Sequence, residues 1–179
     1  MGLLLGSLAF GLFFLNDWND WKWHFPPLRC CFAAGTAALI AGTVLLTPRP
    51  VEWTALHGIA LALAAVFALA LVYTLFFALS AKDAYVRQEE RRDVCTIGVY
   101  ALCRHPGVLW FAGLYLCLWG SVGVPLTAGA LFTALDVLLV WFEDQKVFPA
   151  RLAGYETYRR TTPFLIPSAS SIRQAFLRN

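Results

Sequence analysis

The chain has 179 residues, of which 59% are hydrophobic and 14% are charged, and its formal net charge is +3. Soluble globular domains are about 45–50% apolar, so this composition excludes a soluble fold and predicts a membrane protein. The small charge gives no reason to expect nucleic acid as a partner, and five cysteines without a C-x-x-C pair predict neither a disulfide framework nor a metal site.

Five apolar runs predict an all-α, polytopic membrane protein with about five transmembrane helices. They cover residues 1–15, 28–46, 53–80, 107–120 and 124–142. The first and fourth are shorter than the roughly 20 residues that a perpendicular span needs. The first also lacks the basic leader and cleavage site of a secretory signal, so we expect it to be a span of the mature protein. The tight turn between the last two runs predicts a helical hairpin.

These runs form one membrane domain, residues 1–179, with three spans in 1–80 and the hairpin and a C-terminal cap in 81–179. The polar stretch 82–93 (KDAYVRQEERRD) has charges of both signs at helical spacing, which predicts that the third helix continues out of the membrane. Trp18, Trp21, Trp23 and Trp53 stand at span ends, where an indole ring is favoured at the level of the lipid headgroups.

The basic residues predict the orientation. With five spans, thirteen of the fourteen lysines and arginines fall on one side of the membrane and only Arg49 on the other. By the positive-inside rule the C-terminal tail is cytoplasmic and the N-terminus is outside. We expect the cytoplasmic membrane if the chain is bacterial and the endoplasmic reticulum if it is eukaryotic.

Polar residues at membrane depth mark the candidate chemistry. Arg104, His105 and Pro106 precede the fourth span, so a cation, an imidazole and a helix N-terminus converge there and could hold a carboxylate or the edge of an adenine. The alternative is that Arg104 reaches the lipid headgroups. Residues Glu143 and Asp144 follow the fifth span, and the hairpin should bring them to the Arg104 end.

A third acid, Asp136, lies seven and eight residues before this pair, which predicts one acidic face. Mid-span, it must face protein or water, or form a hydrogen bond to a neighbouring helix. The tail 154–167 has spaced aromatics, Arg159 and Arg160, and an apolar segment between prolines. It predicts a cap that returns to the membrane, although the two arginines could simply contact anionic lipid.

Together these segments resemble the superfamily of isoprenylcysteine carboxyl methyltransferases and phospholipid methyltransferases, which are small integral membrane enzymes. The resemblance rests on an ordered set of motifs in the last ninety or so residues. They are Gly98-Val99-Tyr100, Arg104-His105-Pro106, Glu143-Asp144 and Tyr155-x-x-Tyr158 followed by Pro163 and Pro167. The chain departs from the family pattern at Val108 and Trp110, where a tyrosine and a glycine are usual.

The resemblance implies a transferase that moves a methyl group from S-adenosylmethionine to a lipophilic small molecule or lipid. It also implies which residues contact the cofactor: Val94, Tyr100, Arg104, His105, Pro106, Gly107, Glu143 and Asp144. We expect Asp136 or Arg159 to orient the acceptor, with Arg104 and His105 beside the reacting groups. Two other classes stay open, a membrane reductase that uses a nicotinamide dinucleotide phosphate and a non-enzymatic transport or scaffold protein.

Overall fold

The computed structural model describes residues 1–48, 53–77 and 92–177. Over these residues the protein is an all-α membrane protein, which confirms the predicted class. Its helices are α1 (Gly2–Trp18), α2 (Cys30–Leu46), α3 (Ala55–Val72), α4 (Pro106–Val122), α5 (Leu126–Phe142), α6 (Phe148–Arg151), α7 (Tyr155–Thr161) and α8 (Ala169–Leu177). The first five occupy the five predicted apolar runs.

Within the described ranges, three helical stretches are long and apolar enough to cross a bilayer. They are Pro26–Leu46, Ala55–Phe76 and Leu126–Arg151. The helix α4 is also apolar but has only 17 residues, as the short fourth run predicts. Many large apolar side chains point away from the protein, including Leu56 at 76% and Leu69 at 70% exposure. Such surfaces are stable only against hydrocarbon, so they form the lipid-facing side of the bundle.

The helix α1 continues beyond the predicted end at residue 15. It includes Asn16 and Asp17 and then passes into a π-helical turn, Asn19–Trp23. The chain reverses at His24, which has a φ of 55°. The fully buried Asn19 stabilises this reversal, because its side-chain oxygen accepts a hydrogen bond of 2.8 Å from the Phe25 N–H. The polar end of α1 is therefore part of the packed structure.

The predicted extension of the third helix over residues 82–93 lies mostly outside the described residues. Its last two residues, Arg92–Asp93, form the strand β1, so the prediction is wrong for them. Here β1 pairs in parallel with β2, Leu152–Ala153, and the Val94 N–H extends the pair with a bond of 3.1 Å to the Ala153 carbonyl. The helical charge pattern could not reveal this strand, because its partner strand is remote in the sequence.

Glycines set the close approach of α1 and α2. A Cβ atom added at Gly42 would lie 2.8 Å from the backbone nitrogen of Gly6 and 2.9 Å from the carbonyl oxygen of Gly2. Membrane helices associate by such close backbone contact, because lipid supplies no hydrophobic force between them. A Cβ atom added at Gly6 would collide with the ring of Phe132, so this glycine also lets α1 pack against α5.

Aromatic rings fill the centre of the bundle. Phe10, Phe111, Tyr115 and Phe132 are each no more than 6% exposed and join α1, α4 and α5. The Tyr115 hydroxyl reaches Thr43 of α2 at 2.6 Å, so the polar atom at the core has a partner. These contacts hold the helices at fixed distances and thereby position the polar residues at their ends.

We expect Gly42→Ala to destabilise the protein by about 1–3 kcal/mol, because the added methyl group has only backbone atoms beside it and α1 must move away. Gly11→Ala is the matched control, since a Cβ at Gly11 of α1 meets no atom within 4 Å. Thermal unfolding in detergent measures both. Equal melting temperatures for the two variants would contradict the close helix contact.

Candidate functional site

Three of the long helices end in the same way and at the same end of the bundle. The helices α1, α3 and α5 pass into π-helical turns, at Asn19–Trp23, Tyr73–Phe77 and Glu143–Val147. Single π-helical turns are rare and occur often at functional sites. The polar side chains gather around these three turns, so we call this the polar end of the bundle and place the candidate site there.

The Asp144 carboxylate is the centre of the polar end. It is 1% exposed, and its Oδ1 atom accepts hydrogen bonds from Arg104 at 2.6 Å, from Tyr155 at 2.6 Å and from His105 at 3.3 Å. Burial and the bond to Asp144 raise the pKa of the Tyr155 phenol, so it stays protonated and donates. The hairpin therefore brings the two predicted motifs into direct contact, as expected.

The tail holds the Arg104-His105 segment from the other side. The Arg104 N–H donates to the Pro163 carbonyl at 2.9 Å, and the His105 N–H donates to the Phe164 carbonyl at 3.2 Å. The His105 ring stacks on Phe148 at 5.6 Å and meets the Phe164 ring edge-on at 5.1 Å. The predicted cap is thus a non-helical segment that is hydrogen-bonded along the R-H-P motif.

Burial favours the neutral form of the His105 imidazole. The side chain is 5% exposed between the two rings, and this desolvation lowers the pKa of the imidazole more than Asp144 raises it. A neutral imidazole with its proton on Nε2 donates to Asp144 and leaves Nδ1 as an acceptor. That Nδ1 atom lies 4.0 Å from a carboxylate oxygen of Glu143.

Glu143 has surroundings opposite to those of Asp144. It is 21% exposed, its carboxyl group hydrogen-bonds to Asp17 of α1, and Asp136 and Asp144 are close enough to repel it. The predicted acidic face is therefore only partly formed, because the turn that starts at Glu143 directs Asp144 to the R-H-P motif. Asp136 is half-buried on α5, near Glu143 but outside the hydrogen bonds around Asp144.

Arg159 of α7 also joins the site. Its Nε atom lies 3.6 Å from Asp144 Oδ2, and its Nη2 donates to the side chain of Gln145 at 2.8 Å. The chain brings together five of the predicted site residues in this way. They are Arg104, His105, Glu143, Asp144 and Arg159.

The remaining predicted residues surround this group. Tyr100 donates to the Thr74 carbonyl at 3.0 Å, and its own carbonyl accepts from Tyr158 at 2.7 Å. Val94 lies at the end of β1, Pro106 is buried at the first position of α4, and Gly107 faces Leu71 of α3. Their backbone and ring contacts position the segment that carries Arg104.

Two residues of the site were not predicted as such. Tyr155 appeared only as part of the tail motif, and Asp17 was not singled out from the sequence. The available signal for Asp17 was a carboxylate directly after an apolar run, next to Asn16, which donates to it at 3.2 Å. Its contact with Glu143 depends on the packing of α1 beside α5.

No family model, curated protein or solved structure matches this chain. The resemblance to membrane methyltransferases therefore rests on the motifs alone, and the function has to be argued from the geometry of the polar end.

Neutralising the two adjacent acids should have opposite effects. Asp144→Asn leaves the Arg104 guanidinium, about 10% exposed, without its counter-ion, and we expect a loss of about 3–5 kcal/mol. Glu143→Gln removes repulsion by Asp17 and Asp136, so the melting temperature should be unchanged or higher. Thermal unfolding of both variants in detergent tests this, and a similar loss in the two would show that the acids have equivalent surroundings.

The low pKa of His105 has a measurable consequence. The unfolded chain takes up a proton near the ordinary value of 6.5 while the folded protein does not, so stability is lost as the pH falls toward the folded pKa. The ¹⁵N spectrum of histidine-labelled protein, assigned with His105→Gln, should give a midpoint below 6.5 for this ring. A midpoint at or above that value would contradict the neutral imidazole.

Proposed function

We propose that the protein is a multi-pass membrane methyltransferase that transfers a methyl group from S-adenosylmethionine to a lipophilic acceptor. In this proposal five spans cross the bilayer and the polar end, with the tail, lies on the cytoplasmic side. Lys22, Arg104, Lys146, Arg151 and Arg159 all belong to that end, which agrees with the preference of basic residues for the cytoplasm.

The observation that carries the proposal is the pair of acids Glu143 and Asp17, for which the described residues provide no lysine or arginine partner. The neighbouring Asp144 is neutralised by Arg104, whereas Glu143 hydrogen-bonds to Asp17 and lies near Asp136. That hydrogen bond requires one shared proton, so the pair keeps a net negative charge, which favours a cationic ligand. S-adenosylmethionine carries a sulfonium and an ammonium group, and both would be attracted to this pair.

Aromatic rings flank the same acids. Trp18 follows Asp17, Phe142 precedes Glu143, and the two rings stack with centroids 5.9 Å apart. Trp21 meets both rings edge-on. The sequence favours lipid anchors and not a ligand cage at these tryptophans. In this proposal Trp18 and Trp21, which pack on Phe142 of α5, lie beside the ligand instead. Organic cations bind well beside such ring faces.

A donor for a carboxylate lies on the other side of His105. Among the described residues, the buried Nε of Arg104 has no hydrogen-bond partner. It stands next to the N-terminus of α4, where free backbone N–H groups favour an anion. An amino acid carboxylate at Arg104 and a sulfonium at Glu143 suit the two ends of one zwitterionic ligand.

The chemistry requires positioning more than proton transfer. S-adenosylmethionine supplies a methyl group on a positively charged sulfur, which is already activated for attack. The protein then has to exclude water and align the acceptor, which Phe148, Phe164 and the tail do by covering His105.

A groove on the hairpin is a candidate surface for an apolar acceptor. It has a volume of about 410 Å³ and lies between α4 and α5, lined by apolar residues with Tyr115, Gly129, Thr133 and Val137 among them. This volume is within the range of small-molecule sites, about 300–1,000 Å³. In this proposal the acceptor enters from the bilayer between α5 and the earlier spans. The groove is lined by α4 and α5 alone and includes no residue of the polar end.

A reductase that uses a nicotinamide dinucleotide phosphate fits this charge distribution less well. Its cofactor is strongly anionic, and Asp17, Asp136 and Glu143 would repel it. Arg159 is already engaged with Asp144 and Gln145, and Arg104 is ion-paired with Asp144 and has only its Nε free, which leaves too little positive charge for several phosphates.

Calorimetric titration of the detergent-purified protein tests the proposal. We expect S-adenosylmethionine and its demethylated product to bind, and Glu143→Gln to weaken S-adenosylmethionine by about tenfold or more, because it removes the charge that attracts the sulfonium; tenfold corresponds to about 1.4 kcal/mol. The matched control is Glu156→Gln, an exposed acid on α7 that should bind as the unmodified protein does.

A nicotinamide dinucleotide phosphate serves as the comparison ligand. Binding of this ligand alone would make the reductase assignment correct. Equal affinity of Glu143→Gln and the unmodified protein for S-adenosylmethionine would show that the sulfonium does not lie at Glu143.

A further inference from the structure

The C-terminal helix α8 buries a serine against the protein and exposes an isoleucine. Ser171 is buried at 3% exposure, whereas its neighbour Ile172 is 42% exposed. Ser168 and Ser171 exchange hydrogen bonds of 2.9 and 3.1 Å between side-chain oxygens and backbone N–H groups, and so fix the first turn of the helix. A helix that packed only for the protein core would bury the isoleucine and expose the serine.

The position of α8 relative to the membrane follows from its neighbours. It packs against the short helical turn Gly98–Ala101, which precedes α4. The segment leading to α8 is hydrogen-bonded to Arg104 and His105, directly before α4 begins at Pro106. Ile166 of this segment is 81% exposed. The tail and α8 therefore lie at the depth where α4 enters the bilayer.

The charge of the tail has one sign. After Glu156 the sequence contains no aspartate or glutamate and has four arginines, Arg159, Arg160, Arg173 and Arg178. Of the described ones, Arg160 and Arg173 are exposed. Exposed arginines beside exposed isoleucines at a membrane boundary complement an anionic headgroup layer with acyl chains below it.

We infer that α8 and the segment before it are an interfacial anchor that binds anionic phospholipid. Ile166 and Ile172 insert toward the acyl chains, and Arg160 and Arg173 contact the phosphates of the headgroups. The assignment does not depend on the methyltransferase proposal. Because the same tail covers His105, the anchor also attaches the cover of the candidate site to the membrane surface.

Depth-dependent fluorescence quenching tests the orientation of α8. One variant carries a genetically encoded fluorescent amino acid at position 172, and a second variant carries it at position 170. Each full-length chain is reconstituted in nanodiscs that contain phosphatidylcholine and phosphatidylglycerol. Ser170 is exposed on the same helix and lies about 200° away around its axis, so it is the matched control. Nitroxide-labelled lipid should quench position 172 several-fold more than position 170.

Quenching by aqueous iodide tests whether water or a second copy of the chain, instead of lipid, covers this face. Strong iodide quenching at position 172 would place Ile172 in water and overturn the inference. Protection from both quenchers would mean that a second copy of the chain covers the face, which also overturns it. Omitting phosphatidylglycerol should reduce the quenching by nitroxide lipid at position 172, and an unchanged signal would overturn the assignment of the arginines to anionic headgroups.

Discussion

The Asp144 carboxylate, at 1% exposure, accepts hydrogen bonds from the R-H-P segment and from α7, while it belongs itself to the end of α5. Moving the R-H-P segment away from Asp144 would leave the buried charges of Arg104 and Asp144 without each other, which costs several kcal/mol, and moving α7 away would break the Tyr155 hydrogen bond. The Arg104 segment is held in turn by the tail. One buried charge therefore specifies how the hairpin, the tail and α7 are arranged.

This arrangement gives two adjacent acids different roles. Asp144 is fully coordinated by donors of the chain, so it acts as the structural centre. Glu143 hydrogen-bonds to Asp17, with Asp136 nearby, and this pair shares a proton close to His105. The difference arises because the π-helical turn begins at Glu143 and alters the direction of the next side chain. The negative charge available to a ligand is thus that of the pair formed by Glu143 and Asp17.

Much of this could be predicted from the sequence. Apolar length identified α1 to α5, and the tight turn near Gly123 predicted that Arg104 and Asp144 meet. Local pattern could not reveal contacts between remote segments, such as Asp17 with Glu143 or Tyr155 with Asp144. It also could not reveal the π-helical turns, whose sequences have helical spacing, or the strand at Arg92–Asp93, which exists only because Leu152–Ala153 lies beside it.

The pairing of β1 with β2 has a consequence for the ends of the hairpin. The two strands flank the whole α4–α5 hairpin in sequence, and parallel strands need a long connection between them. The hairpin is part of that connection, and it returns the chain to the end from which it started. Because Val94 and Ala153 are joined immediately beside the R-H-P segment and α7, the strand pair ties the chain before α4 to the chain after α5, and a displaced hairpin helix would pull directly on the candidate site.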